Sequence, residues 1–498
     1  MKLSELAALI PNAVCIGDRE LEVRGISMHS RQVAPGDLFA CIPGIPGFQE
    51  DRHPYAGDAV QAGAVALVVE REVDCGVPMI KVPDARHALA LMASHLNGYP
   101  SSKLKLIGVT GTNGKTTTAH MIEAILAHAG YHTGLMGNLG TKIGKTLHAS
   151  DLNTQEPPSL QANLKRMADE AVEYAVMEAS SQGLAVGRVI GCDYRTAVFT
   201  NLTQDHLDFH GTMEAYLAAK GLLYARLGNA FSPDPDRHKF AVLNGDEEAS
   251  AYLRQVTTAL AFTYGIHSEL ADVRAVNVRL TSRGTSFDVV SYAGTLPFEM
   301  RMVGTFNVYN ALAAITCALA EQVPLRVIRE GLAQFGGVPG RMEVIDEGQD
   351  FMVLVDYAHT PDGLENVLST VRDFAERRVI TVFGCGGDRD RTKRPIMGKL
   401  SATYSDYVVV TSDNPRSEEP NRILTDIAVG LEERGWTQER YMLLPDRAQA
   451  IVEAIRIAEP GDVVIIAGKG HETYQIIGGV TNHFDDREEA RAAIHGKG

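Results

Sequence analysis

The sequence predicts an α/β protein of three domains. These are a small N-terminal α/β domain over 1–100, a central P-loop domain over 101–339 with a doubly wound, mostly parallel sheet, and a C-terminal Rossmann-like domain over 340–498. Three observations lead there. A chain of 498 residues is too long for one core and divides into about three domains of ordinary size. Short apolar runs alternate with helix-period stretches, the pattern of parallel strands joined by crossover helices. The stretch Leu104–Thr118, LKLIGVTGTNGKTTT, reads as buried strand, glycine turn and helix start in direct succession.

In the N-terminal part, Asp37–Ile42, Ala64–Glu70 and Met79–Pro83 read as strands and Arg86–Leu96 as a helix. Ser30-Arg31 falls in a loop between the first strands, and Pro43-Gly44-Ile45-Pro46-Gly47 forms a second loop. From spacing alone, ordinary turn chemistry accounts for both loops better than ligand binding does. Tyr99-Pro100-Ser101-Ser102 is expected to be a linker.

The central part opens on the strand Leu104–Val109 and the turn Gly111-Thr112-Asn113-Gly114-Lys115-Thr116, followed by Thr117 and a helix with Met121, Ile122, Ile125 and Leu126 on one face. Glycines let backbone N–H groups approach phosphate oxygens, and a helix start adds partial positive charge. Lys115 then reaches the β/γ-phosphates and Thr116 ligates Mg²⁺. The strict spacing asks for glycine where Val109 stands, so the match is to a shorter G-T-N-G-K-T variant, with a plain strand–turn–helix connection as the alternative. Further apolar runs, Tyr174–Met177, Ala197–Thr200 and Phe240–Leu243, continue the alternation. Glu178, Ser180 and Ser181 follow the first, and Asn201, Asp205, His206 and Asp208 the second, at strand ends where open α/β sheets gather ligands. Thr116, Glu178 and His206 are candidate Mg²⁺ ligands, although a nitrogen ligand is unusual for that ion. A surface carboxylate is the other reading of Glu178. Lys220, in YLAAKGLLY (216–224), is either a solvated helix lysine or one facing the metal. Leu280–Met302 suggests a β-hairpin insertion, and Gly304-Thr305-Phe306-Asn307 leads into a helix over Val308–Leu319.

In the C-terminal part, Gly337-Val338-Pro339-Gly340-Arg341 resembles a hinge. Strand-like runs at Phe351–Val355, Val379–Phe383, Tyr407–Thr411 and Val463–Ala467 each end in a polar or glycine-rich loop: Asp356–His359, Gly384–Asp388, Ser412–Arg416 and Gly468–Glu472. No G-x-G-x-x-G follows the first of these strands, which disfavours dinucleotide binding.

Composition narrows the function classes. A net charge of −15 argues against nucleic acid as partner, so anionic substrates need local basic pockets. The six cysteines are scattered without a C-x-x-C pair, as suits reduced thiols. The N-terminus lacks a signal-peptide pattern and no apolar stretch reaches membrane-spanning length, so a cytoplasmic protein without membrane insertion is expected.

Ten stretches, in order along the chain, carry a family resemblance: GVTGTNGKTTT (108–118), MEASSQGL (177–184), TNLTQDHLDFHG (200–211), YLAAKGLLY (216–224), GTFNVYN (304–310), GRMEV (340–344), VDYAHTPD (355–362), FGCGGDRDRTKRP (383–395), DNPRSEEP (413–420) and AGKGHETYQ (467–475). Over its whole length the chain resembles the Mur ligases, ATP-dependent amide-forming enzymes of peptidoglycan precursor synthesis. The resemblance implies a monomer using ATP and Mg²⁺, with UDP-N-acetylmuramoyl-L-alanyl-D-glutamate and meso-diaminopimelate as substrates. It implies that Gly111, Thr112, Asn113, Gly114, Lys115, Thr116, Thr117, Asn310, Arg341 and Asp356 contact ATP. Ser30 and the 45–47 loop would hold the UDP end of the nucleotide sugar, and Asn153, Thr154, Ser180 and Arg188 the rest of it. Lys220 would be a carbamate (N6-carboxylysine) that helps bind Mg²⁺ with Thr116, Glu178 and His206; Lys115, Lys220, His206 and Glu178 form the implied catalytic group. Arg389, Asp413, Asn414, Pro415, Arg416, Gly468 and Glu472 would hold the diamino acid. Gln155, Gln182 and Val186 depart from the usual family pattern.

In the implied reaction ATP converts a carboxylate to an acyl phosphate, an amine attacks, and phosphate leaves. Lys115 and Mg²⁺ offset charge on the transferring phosphoryl group, and a hinge near 337–341 would close the third domain over the site to exclude water. Arg416 offers a planar fork to the distal carboxylate of diaminopimelate and would repel the ammonium of lysine; a surface arginine at a helix start is the bland reading. The lysine-adding Mur ligases and folylpolyglutamate synthase are the alternatives within the enzyme class, and a slow nucleotide-dependent switch is the alternative outside it. Arg416 argues against the first and the separate N-terminal unit against the second. The third has no need of Arg-bearing loops on a third domain.

Overall fold

The computed structural model describes residues 1–150, 152–229, 232–281 and 284–497. The apolar run ahead of the glycine turn forms the strand Lys105–Thr110, with Leu106, Ile107 and Val109 fully buried. A strand covered on both faces belongs inside a parallel sheet. It lies between Tyr174–Glu178 and Tyr194–Phe199 and runs parallel to both. The full order of this eleven-stranded sheet is Gly294–Met300, Gly284–Ser291, Val273–Thr281, Leu260–Gly265, Phe240–Asn244, Tyr194–Phe199, Lys105–Thr110, Tyr174–Glu178, Thr133–Gly137, Gly140–Ile143 and Thr146–His148. The pairs from Val273–Thr281 to Thr133–Gly137 are parallel, and the last two pairs are antiparallel.

The chain divides into two compact units. One holds Met1–Ala275, Val289–Leu296 and Tyr309–Leu332; the other holds Val276–Asp288, Pro297–Val308 and Ala333–Gly498. In the first unit the N-terminal residues build a separate five-stranded sheet in the order Val14–Ile16, Met79–Lys81, Ala66–Val69, Asp37–Cys41, Gly25–Ser27, parallel except for the first pair. The helix Ala85–Leu96 is capped by Asp84, which accepts from His87 N. Ser30-Arg31 lies in a 3₁₀ turn, Ser30–Gln32, rather than an open loop. The expected linker at Tyr99–Ser102 is a packed corner. Pro100–Lys103 is a 3₁₀ turn, and the buried Ser101 Oγ accepts from Asp193 N at 3.0 Å.

Several boundaries differ from expectation for physical reasons. The insertion expected over Leu280–Met302 is three strands beginning at Val273, and the positions of Ser282 and Arg283 lie outside the described residues. In Val273–Thr281 only Val273 and Ala275 are buried and the rest alternates exposed and half-exposed residues, so it shows no apolar run. The strand Thr133–Gly137 was unmarked because two of its five residues are glycine. The later helix starts at Thr305, three residues before the expected Val308.

The second unit is organised by a six-stranded sheet in the order Glu343–Val344, Met352–Asp356, Val463–Ala467, Val379–Phe383, Tyr407–Thr411, Tyr441–Leu444, parallel except for the first pair. Its interior strands are rich in Val and Ile with both faces buried, and separate apolar clusters form around Leu354, Val408 and Ile465 and around Val353, Val409 and Val464. The strand Val463–Ala467, late in sequence, inserts at the middle. The loops after Asp356, Phe383, Thr411 and Ala467 therefore leave from the C-terminal ends of neighbouring parallel strands. A small hairpin, Tyr474–Ile477 with Val480–His483, follows.

Candidate active site

The glycine turn is held by its surroundings as much as by its own sequence. Gly111 has φ +152° and Gly114 φ +81°; a Cβ on the first would overlap Thr200 Oγ1, and on the second Asn310 Oδ1. Thr200 Oγ1 donates to Asn113 O at 2.6 Å, Asn201 Oδ1 accepts from Asn113 N at 2.9 Å, and Thr112 N donates to Asn201 O at 2.9 Å. Lys115 Nζ donates to Gly111 O at 2.9 Å and Thr112 O at 2.7 Å from the first turn of the helix Lys115–His128, in which Thr116 and Thr117 are buried. Thr118 Oγ1 donates to Asn310 Oδ1 at 3.2 Å. Asn310 thus belongs to the cradle, although it lies far along the chain.

Thr116 and Glu178 meet: Thr116 Oγ1 donates to Glu178 Oε1 at 3.0 Å, and the same oxygen accepts from Asn138 N at 2.8 Å. Glu178 is buried, with these two hydrogen bonds to its Oε1. A buried carboxylate is costly without a cation, and hydroxyl plus carboxylate are the hard oxygen donors that Mg²⁺ takes. These two residues fit that ion. Among the described residues no three His, Cys, Asp or Glu side chains are grouped for a metal, so most other ligands would be phosphate oxygens and water.

Lys220 is fully buried in the helix Met213–Ala225, and its Nζ donates to Gly111 O at 2.8 Å. This excludes the solvated-lysine reading. Burial pushes its pKa well below the ordinary lysine range, the Lys115 charge adds to this, and Asp205 opposes it. Its Nζ also lies 4.2 Å from the centre of the Tyr216 ring, whose hydroxyl is 3.1 Å from Thr112 Oγ1. Tyr216 went unnoticed in the sequence, though its place four residues before Lys220 puts both on one helix face. His206 has a left-handed backbone (φ +54°) and lies within 3.4 Å of Asp205 and 3.5 Å of Gln182 Nε2. Its pKa is lowered, chiefly by burial; Asp205 opposes the shift and Lys115 and Lys220 add to it. Lys115, Lys220 and His206 therefore share one electrostatic neighbourhood.

The residues expected to hold the sugar–peptide gather in part. Thr154 Oγ1 donates to Glu178 O at 2.9 Å and accepts from Ser180 N at 2.9 Å; Arg188 Nη1 donates to Thr154 O at 3.1 Å and Nη2 pairs with Glu156 at 2.8 Å. Asn153 Oδ1 accepts from Thr154 N. Ser30, in its 3₁₀ turn, shares no hydrogen bond with this group among the described residues. The 45–47 loop is closed by Ile45 N donating to Gln49 O, and Arg86 braces it through Pro43 O and Gln49 Oε1. The departures have structural roles: Gln155 Nε2 donates to Thr141 Oγ1 at 2.7 Å, Gln182 meets His206, and Val186 caps a short helix.

In the second unit, Asp356 is buried, with Oδ2 accepting from Met342 N and Oδ1 from Ala358 N; burial pushes its carboxyl up and Arg341 opposes this. Arg341 lies over the Tyr357 ring at 4.9 Å. The loops after Thr411 and Ala467 interlock. Asn414 Nδ2 donates to Glu472 Oε2 at 3.2 Å, and Lys469 Nζ donates to that same oxygen at 3.0 Å and to Asn414 Oδ1 at 3.3 Å. Gly468 (φ +122°) leaves room for the Asp413 carboxylate, which a Cβ would meet at 2.9 Å. Arg416 is not at a helix start: the helix begins at Pro420. Its backbone is left-handed (φ +53°), a conformation that a non-glycine residue holds at some cost. Its N–H donates to Ile476 O at 3.0 Å, and Nη1 donates to Gly387 O at 2.8 Å. Pro415 O accepts from Glu418 N, and Arg389 is exposed, with Nη1 3.4 Å from Asp388 O. Lys469 and Arg447 were missed in the sequence because a buried cation leaves no local pattern.

A P-loop with an oxygen-donor pair on one α/β sheet, and interlocked polar loops at the strand ends of another, have the layout of a nucleotide-dependent enzyme. Family models for the Mur ligase middle domain match residues 109–318, and for the Mur ligase glutamate ligase domain residues 340–470. The chain belongs to the Mur ligase family. It is 51% identical over 494 residues to a UDP-N-acetylmuramoyl-L-alanyl-D-glutamate–2,6-diaminopimelate ligase of Geobacillus thermodenitrificans, covering 99% of each chain. It is 49% identical to the enzyme so named in Geobacillus kaustophilus, covering all of both chains. A solved structure of a ligase of that name superposes with a TM-score of 0.71 at 33% identity, covering 100% of this chain and 99% of the other. Folylpolyglutamate synthase of Mycobacterium tuberculosis, in complex with ADP, shares the fold at 20% identity and a TM-score of 0.60 over 77% of this chain.

Proposed function

We infer that this chain is an ATP-dependent ligase joining meso-diaminopimelate to UDP-N-acetylmuramoyl-L-alanyl-D-glutamate in peptidoglycan precursor synthesis. The observation that carries this reading is the full-length identity of 51% to a diaminopimelate ligase. The Asp413–Arg416 loop supports it, because Arg416 supplies a guanidinium suited to a distal carboxylate. The N-terminal sheet, with the braced 45–47 loop, supports a nucleotide-sugar substrate over a folate.

The residues divide the work as follows. Backbone N–H groups of Gly111–Thr116 and the Lys115 ammonium hold the ATP phosphates and offset charge on the phosphoryl group as it passes to the substrate carboxylate. Asn310, Arg341 and Asp356 contact ATP. Thr116, Glu178 and His206, with Lys220, hold Mg²⁺, which supplies charge neutralisation at the phosphates when bound. Burial lowers the Lys220 pKa and so favours its neutral amine, the form that is a nucleophile for CO₂, and the carbamate formed with loss of a proton adds an oxygen donor there. Ser30, Asn153, Thr154, Ser180 and Arg188 orient the nucleotide sugar. Arg389, Asp413, Asn414, Arg416, Gly468 and Glu472 orient the diamino acid, the acidic members facing ammonium groups, so that its amine attacks the acyl phosphate and phosphate leaves. We place the enzyme in the cytoplasm as a monomer; among the described residues no helix is long and apolar enough to cross a membrane.

The test is phosphate release with ATP, Mg²⁺ and the nucleotide sugar, comparing meso-diaminopimelate with L-lysine. Release that depends on diaminopimelate and not on lysine is expected. Equal use of lysine points to the lysine-adding ligases, and release independent of both amino acids overturns the reading.

A further inference from the structure

Behind the loops that carry Asp413 and Gly468 lies a charge pair sealed from solvent. Arg447, at the start of the helix Arg447–Ile457, and Asp486, at the start of the helix Asp486–Lys497, both have side chains with no exposed surface. They meet fork to fork, Nε to Oδ1 at 2.7 Å and Nη2 to Oδ2 at 2.7 Å. The remaining donors of the same guanidinium do not point into the core at random. Nη1 donates to Ser412 O at 3.2 Å and Nη2 to Ala467 O at 3.1 Å. Ser412 is the residue before Asp413, and Ala467 the residue before Gly468. One rigid, planar group thus ties together the roots of the two loops that meet at Asn414, Lys469 and Glu472.

A pair placed only for stability gains little over apolar side chains of similar volume, because two charges must be stripped of water. The geometry points to another use: we propose that Arg447, oriented by Asp486, is a positioning residue that sets the spacing of the Asp413–Arg416 and Gly468–Glu472 loops and so determines affinity and selectivity for the diamino acid. Its charge also faces the acidic side of the site, since Asp413 and Glu472 both act on Arg447, after Asp486. A lysine cannot replace it. One ammonium cannot meet both Asp486 oxygens and two carbonyls at the ends of different strands. The proposal rests on the reading of these loops as the diaminopimelate site.

The experiment is steady-state kinetics on the full chain with Arg447→Lys and, separately, Asp486→Asn. The second variant keeps shape while weakening the fork. The expected result is a rise in KM for meso-diaminopimelate of about ten- to hundredfold, the range typical when groups that orient a site's ligands are lost. KM for ATP and for the nucleotide sugar should stay within about twofold of wild type, and discrimination against L-lysine should fall. An unchanged KM for diaminopimelate, an equal rise in all three KM values, or failure of both variants to fold overturns it and leaves the pair a structural one. If wild-type enzyme does not use diaminopimelate, the functional reading fails instead, and the two failures are distinct.

Discussion

The glycine cradle proposed for phosphate and the loops proposed for the diamino acid would bind charged ligands in opposite ways. The motif of the cradle is contiguous, Gly111–Thr116 with its lysine folded back on Gly111 O and Thr112 O, although Thr200, Asn201 and Asn310 brace it from afar. The loops proposed for the diamino acid present side chains from the ends of separate strands; Lys469 and Asn414 hold Glu472, and the buried Arg447–Asp486 pair holds the backbone at the loop roots. Backbone donors suit phosphate, which is the same in every nucleotide. Side-chain geometry suits a ligand that must be told apart from lysine by one carboxylate. The first kind of site takes its motif from one local turn, and the second is assembled from loops of separate strands.

Substitutions can break this contrast. The largest effect is expected for Lys115→Ala, which should lower phosphate release about 10²–10³-fold, as when a charge-stabilising donor is removed, with KM for diaminopimelate unchanged. Next comes Arg416→Ala, expected to cost about 2–5 kcal/mol in kcat/KM for diaminopimelate, as for a truncated charge pair, with KM for ATP preserved. Matching profiles for these two variants would erase the distinction between the regions. Thr154→Val removes the hydroxyl that accepts from Ser180 N and should cost about 1–3 kcal/mol of stability in a denaturant titration.

The last effect concerns pH. Lys220 has a folded pKa below its unfolded value, so between the two the unfolded chain binds the extra proton. Stability must then rise with pH across that window, ending near the ordinary lysine pKa, by at most about 1.4 kcal/mol per pH unit. Lys220→Met should lack this rise in thermal unfolding measured under CO₂-free conditions. A slope equal to that of wild type would show that the buried amine does not titrate differently on folding.

The same contrast explains what the sequence made legible. The strands Val379–Phe383, Tyr407–Thr411 and Val463–Ala467 could be read to the residue because they are largely apolar, β-branched runs buried on both faces. Thr133–Gly137 and Val273–Thr281 could not, one being glycine-rich and the other half-exposed. In the site, Gly111–Thr116 announced itself through spacing alone. The diamino-acid residues became visible only through family resemblance, and Arg447, Asp486 and Lys469 not at all. A lone Arg, Asp or Lys in a helix or loop looks like a solvated charge until tertiary structure removes its water. Tyr216 was within reach, since helical spacing already paired it with Lys220.

The hydrogen bond from Thr118 to Asn310 joins residues 192 positions apart. During synthesis the cradle therefore cannot take its final form when its own motif emerges, since the side chain that seats against Gly114 is still to be made. A nascent chain halted before Thr305 would carry the whole nucleotide-binding motif and still lack a finished place for the nucleotide. Such a long closure also slows folding of this region, because the entropy of the intervening loop is spent before the contact forms. The part of the molecule that is easiest to read is thus among the last to be completed.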